Sequence, residues 1–200
     1  MTQRLGQALG LADRLLPVTD ERLRTIIETR DGDLDFQTYY VRHGHRHEVV
    51  GIRFEGADAA TPAPGVVDAL AGAAAILIAP SNPLISIGPI LAVPGIRDAL
   101  RSRTVPCVAV SPIVGGQAVR GPAADMMRAL GHDPSPVGVA DIYAGLIDAM
   151  VIDDVDAGFA AELDRRGLSV RPTDTIMRDA GARQHLATVA LEVAGIRLGV

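Results

Sequence analysis

The 200-residue sequence contains no lysine, no tryptophan and a single cysteine. Each absence excludes something. Without lysine there is no Schiff-base chemistry, and all 19 basic side chains are arginine. The lone Cys107 rules out an internal disulfide framework and points to a reducing compartment. It lies in the apolar run Val105–Val110 and reads as a small core residue, not a nucleophile. The net charge is −5, which gives no reason to expect nucleic acid or an anionic membrane as a partner. No apolar run approaches membrane-spanning length, and no basic-then-apolar leader stands at the start, so a cytoplasmic protein is expected. There is no G-x-G-x-x-G, no G-x-x-x-x-G-K-[ST] and no G-x-S-x-G. A dinucleotide fingerprint, a nucleoside-triphosphatase loop and acyl-transfer hydrolysis therefore have no support.

What is present is apolar periodicity. Hydrophobic residues make up 48% of the chain, ample for a core. Ile76, Leu77 and Ile78 form a short apolar run that stops at Ala79-Pro80, as a parallel strand covered on both faces does. Pro80-Ser81-Asn82-Pro83 and Ser86-Ile87-Gly88-Pro89 then break the pattern, with prolines that forbid ladder bonding and short polar side chains between them. Further strands are predicted over Val105–Val110, Ala149–Ile152 and Leu168–Val170. Helices are predicted over Val66–Ala73, Gly95–Ser102, Pro122–Leu130, Val137–Ala144, Ala157–Arg166 and Ala180–Val193. This alternation means an α/β fold with a parallel sheet. Right-handed crossovers gather the strand ends on one edge, where ligands bind in such sheets. That edge collects Ser81, Asn82 and Ser86, the loop Ser111–Gly116, Asp153 and Asp154, and Thr173-Asp174-Thr175. For the stretch around Ser81 the alternative is a tight crossover whose own backbone absorbs those side chains.

The first 64 residues read as a small lobe and residues 65–200 as the α/β portion, together one integrated domain. The lobe shows a short helix at Thr2–Leu11, extended pieces at Leu15–Val18 and Leu23–Glu28, a hairpin turn at Asp31-Gly32 and a strand at Val49–Glu55. Phe36, Tyr39 and Tyr40 make either a local core or a flat surface for a ring ligand. His43, His45 and His47 alternate, which on a strand would give one metal-binding face; Gly44 and the charged neighbours argue for a solvated loop. Gly115-Gly116 follows a strand and precedes a helix, where glycines let backbone approach a phosphate. Asp153, Asp154 and Asp174 are candidate magnesium ligands, with helix capping as the alternative. Asp156 is the candidate cap of Ala157–Arg166. The pattern by itself names no reaction.

The runs APSNPLISIGPILAVPGIRDAL, SPIVGGQAVRGPAADMM, VGVADIY and TDTIM, preceded by RLLPVTDE and LDFQTYYV, resemble the 2-phospho-L-lactate transferase family of coenzyme F-420 biosynthesis. The resemblance extends from about Gln3 to Gly195. It implies a Rossmann-like parallel sheet with helices on both faces. It also implies phosphoryl-diester transfer from a guanylylated 2-phospholactate or phosphoenolpyruvate to the primary alcohol of the deazaflavin Fo (7,8-didemethyl-8-hydroxy-5-deazariboflavin). The products would be GMP and F-420-0 or its dehydro form, with Mg2+ neutralising the diphosphate. By resemblance, Ser81, Asn82, Pro83, Ser86, Ser111, Gly115, Gly116 and Thr173 would hold the guanylyl donor. Asp174 and Asp153 are the candidate catalytic acids, no metal ligand is assigned, and Phe36, Tyr39 or Tyr40 would border the deazaflavin. The family's early strand with its Gly-rich turn, and its Asn-x-Gly-Asp-Asp segment, have no match. The expectation is a fragment, a misplaced start, half of a split enzyme or a degenerate homologue. Such a chain would turn over poorly alone and would associate, with itself or with a missing N-terminal half. Two rival readings are a guanine-nucleotide-binding protein without catalysis and a nucleotide-sugar-regulated binding protein of the same fold.

Overall fold

The computed structural model describes residues 15–197 and positions 6, 8 and 10. Most of the helix read over Thr2–Leu11 lies outside the described residues; Gly6 and Ala8 within it are helical. The α/β portion is built on four parallel strands: β4 (Ile76–Ile78), β5 (Cys107–Val110), β8 (Ala149–Asp153) and β9 (Ser169–Thr173). They pair in that order, so each strand lies beside the one before it in the chain. This is the α/β parallel sheet expected from the pattern and the Rossmann-like class that the resemblance implied.

Strand alternation divides the core. Cys107, Ala109, Met150 and Ile152 face one side and pack with Ile96, Leu100, Met127, Val139 and Leu163. These come from helices α3 (Ile96–Arg101), α4 (Ala123–Ala129), α5 (Pro136–Ile142) and α6 (Ala160–Arg165). Val108, Val110, Ala149 and Val151 face the other side and meet Leu186, Val189 and Ala190 of α7 (Ala180–Val193). Polar side chains fix where these helices start. Ser135 Oγ accepts from the Gly138 amide at 3.3 Å, and Asp179 Oδ1 accepts from the Ala182 amide at 2.8 Å.

The central strands β5 and β8 are buried throughout, but β4 departs from the sequence reading. Among the described residues it has one partner strand, and Leu77 is 41% exposed. Leu77 lies beside Val108 and so alternates onto the α7 side, while the main packing of α7 is against β5, β8 and β9. Among the described residues this edge strand is less covered on its Leu77 face than on the face of Ile76 and Ile78.

The lobe is a three-stranded antiparallel sheet of β1 (Arg24–Thr29), β2 (Gly32–Asp35) and β3 (Val49–Glu55), ordered β2-β1-β3. The turn at Asp31-Gly32 is where the sequence placed it, with Thr29 opposite Gly32. Residues 15–18 form no strand. The aromatic segment folds as a helical turn, Thr38–Arg42. The lobe does not hang free: Ile27, Tyr39 and Val49 pack around Met126 of α4.

Candidate functional site

A cavity of about 850 Å³ opens where the carboxyl ends of β4, β5 and β9 meet the lobe. The β4 end supplies Pro80, Ser81, Asn82 and Ser86. The β5 end supplies Ser111, Val114 and Ala118, followed by residues 119–123. The segment after β9 supplies Thr175, Met177, Arg178 and Arg183, and the lobe supplies Phe36 and Tyr40. A parallel sheet exposes its C-terminal loops on one edge, and this edge is the wall.

The polar side chains are not equally free. Asn82 Oδ1 accepts from the amides of Leu84 and Ile85 at 2.9 and 3.3 Å and so caps the turn Pro83–Ile87. Pro83 is buried beneath that turn. Ser111 is buried, and its hydroxyl is bonded to both the amide and the carbonyl of Ile113. Ser81 and Ser86 have no protein partner for their hydroxyls among the described residues and are the free hydroxyls of the wall.

Three arginines carry the positive charge of the wall. Arg178 pairs with Asp174 at 2.7 Å, while Arg120 and Arg183 form no ion pair among the described residues. Sequence reasoning passed over all three. A usable signal existed: in a chain without lysine, a permanently charged basic side chain that meets a phosphate must be arginine. On the lobe side Phe36 and Tyr40 stack at 5.5 Å and 17°, and His45 continues the ladder at 5.8 Å from Tyr40. The third ring, Tyr39, is instead core; its hydroxyl donates to the His45 carbonyl, and burial pushes its pKa up. Of the three rings the sequence grouped, Tyr39 is core, while Phe36 and Tyr40 line the cavity.

The remaining candidates stand outside the wall. Gly115 and Gly116 form the turn of a hairpin between β6 (Ile113–Val114) and β7 (Gln117–Ala118). Both have positive φ, 57° and 74°, the pair of values a two-residue type I′ turn requires. The Gly115 amide is spent on the Asp156 carboxylate at 3.0 Å. Thr173 bonds to His185 at 2.9 Å. Asp174 accepts from the Ile176 amide as well as pairing with Arg178.

Asp153 is buried and accepts from the amide and hydroxyl of Thr175 at 2.9 and 2.8 Å and from the Val155 amide at 3.2 Å. Burial alone would raise its carboxyl, but these donors outweigh burial and hold it below the ordinary range. Asp153, not Asp156, caps the helical turn Asp154–Phe159: Asp156 is directed at Gly115 instead, and burial pushes its carboxyl up. Cys107 is fully buried, and burial raises its thiol to about 11, in accord with a core role.

The histidines lie in a loop and not on a strand. His43 and His47 meet edge to face at 4.7 Å, and His47 pairs with Asp31 at 3.0 Å. Among the described residues no three His, Cys, Asp or Glu side chains gather where they could hold a metal ion. No helix among them is long and apolar enough to cross a membrane.

Comparison with known proteins adds a family. A family model described as 2-phospho-L-lactate transferase CofD matches residues 1–189. The 2-phospho-L-lactate transferase of Methanopyrus kandleri is 43% identical over 192 residues, covering 94% of this chain and 60% of that protein. The phosphoenolpyruvate transferase of Streptomyces griseus is 43% identical over 187 residues, covering 90% and 58%. The chain therefore spans about 60% of the length of these curated relatives. A crystal structure of protein BH3568 from Bacillus halodurans superposes with a TM-score of 0.63 at 18% identity, over 96% of this chain and 65% of that one; it supports the fold alone.

Proposed function

The chain belongs to the 2-phospho-L-lactate transferase CofD family, and we propose that its cavity is the donor side of a transferase site. The group moved is a 2-phospholactyl or phosphoenolpyruvyl phosphate, the donor is its guanylylated diphosphate, and the acceptor is the primary alcohol of the deazaflavin Fo. The observation that carries this reading is the juxtaposition of Arg120, Arg178 and Arg183 with the stacked Phe36–Tyr40 pair across one cavity. Guanidinium groups suit phosphate oxygens, and a stacked pair of rings offers a face to a flat heterocycle.

In the proposed reaction the Fo hydroxyl oxygen forms a new bond to the phosphorus of the transferred group. The bond from that phosphorus to the bridging oxygen breaks, GMP leaves with the bonding pair, and the hydroxyl proton passes to solvent. The protein's part is positioning and charge stabilisation: the arginines offset charge on the diphosphate as it separates. Ser81 and Ser86 add hydroxyl donors. The acids present do not fit a magnesium site in this wall, because Asp153 and Asp174 are engaged elsewhere and neither lines the cavity. Magnesium enters the proposal only as the counter-ion of the donor diphosphate.

A second reading, guanine-nucleotide binding without catalysis, is favoured by the absence of a carboxylate among the described residues of the cavity wall. One experiment separates the two. The purified chain is given magnesium, Fo and enolpyruvyl-diphospho-guanosine, and GMP and the F-420 product are followed. Turnover establishes the transferase reading. GMP binding by calorimetry without turnover establishes the second. No binding of either nucleotide overturns both.

A further inference from the structure

The β6–β7 hairpin is gripped at its turn from two sides. Asp156 directs both carboxylate oxygens at the Gly115 amide, at 3.0 and 3.2 Å. Arg128 donates from Nη2 to the Gly116 carbonyl at 2.8 Å while pairing with Asp125 at 2.9 Å. The hairpin carries Val114 and Ala118 into the cavity wall, and its second strand runs on into Val119 and Arg120. Where the turn sits therefore decides where Arg120 sits.

Asp156 is an odd choice for a merely structural clasp. It is 4% exposed and, among the described residues, receives one backbone donor. A buried carboxylate with a single amide partner recovers little of its lost hydration. Burial raises its carboxyl, and the neighbouring Asp153 charge adds to that. A neutral side chain of the same shape would serve stability at least as well.

We propose that Asp156 is a positioning residue: its carboxylate fixes the Gly115-Gly116 turn and, through the hairpin, holds Val114, Ala118 and Arg120 in register with the rest of the cavity wall. The consequence for ligand affinity rests on the reading of this cavity as a nucleotide site; the clamping of the hairpin does not. The test compares the full chain with Asp156→Asn, which keeps shape and one acceptor while removing charge. Three quantities are read: GMP affinity by calorimetry, amide exchange at residues 113–118, and the thermal midpoint at neutral pH. The expected result is roughly ten-fold weaker GMP binding and at least about ten-fold faster hairpin exchange, with a midpoint unchanged or higher. Unchanged affinity and exchange would overturn the proposal, as would a lowered midpoint with uniformly faster exchange over the whole chain. If the wild-type chain binds no GMP, the nucleotide reading fails and hairpin exchange alone decides the clamp: faster exchange upholds it, an unchanged rate overturns it. Arg128→Ala removes the second grip at an exposed side chain and is expected to speed exchange of the same hairpin amides.

Discussion

Arg183 stands on the cavity wall, and replacing it breaks no ion pair among the described residues. Replacing it with alanine is expected to cost about 1.5–3 kcal/mol of binding to a phosphate-bearing probe, roughly ten- to a hundred-fold in Kd. Stability should move by no more than about 0.5 kcal/mol. Pyrophosphate titration and thermal melting of the same variant check both halves. Cys107 makes the opposite case. With its thiol raised to about 11 and its side chain fully buried, it is expected to resist thiol reagents at neutral pH in the native protein and to react once the chain unfolds.

Asp153 contributes to stability in a pH-dependent way. Its folded carboxyl titrates below the unfolded one, so its contribution is full above the ordinary carboxylate range and fades as pH falls through the folded value. Asp153→Asn should therefore lower the thermal midpoint at neutral pH and narrow its gap to wild type as pH drops to about 3. A gap that stays constant with pH would contradict this assignment.

Elements hold by contacts that residue type alone does not announce. Gly138, inside α5, packs so closely on the preceding loop that an added Cβ would sit 1.9 Å from the Asp133 carbonyl oxygen. Gly138→Ala is expected to cost about 3 kcal/mol or more, seen as a lower urea midpoint with an unchanged slope. At this scale much was legible. The strands β4, β5, β8 and β9 and the six helices predicted from periodicity appear where apolar spacing placed them, because alternating burial and caps such as Asp179 are local signals.

What stayed hidden was decided by partners far along the chain. Glycine pairs suit a phosphate cradle and a hairpin turn equally, and only the pairing of Ile113 with Ala118 distinguishes them. Asp153 and Asp156 each look like a cap, and the choice rests on Thr175 and Gly115. Leu77 reads as buried because its exposure depends on which distant helices cover the edge of the sheet, which no local pattern encodes. The wall hydroxyls were visible as polar breaks in an apolar run. Arg120, Arg178 and Arg183 were not, since nothing local separates a ligand-facing arginine from a solvated one.

In the molecule as a whole, the lobe meets the α/β portion at Met126 of α4, which is 1% exposed and lies among Ile27, Tyr39 and Val49. Truncating it to alanine should cost about 2–5 kcal/mol and weaken both parts together. Amide exchange in β1 and β8 would then rise in parallel; a rise confined to β1 would mean that the lobe opens by itself.

The strand order has a temporal side. β4, β5, β8 and β9 sit in the sheet in the sequence in which a ribosome releases them, so every new strand finds its neighbour already made. One surface of the growing sheet nevertheless stays wet until the end. Among the described residues, α7 is the main cover of Val108, Val110, Ala149 and Val151, and a nascent chain paused ahead of residue 180 would present them to chaperones or to other nascent chains.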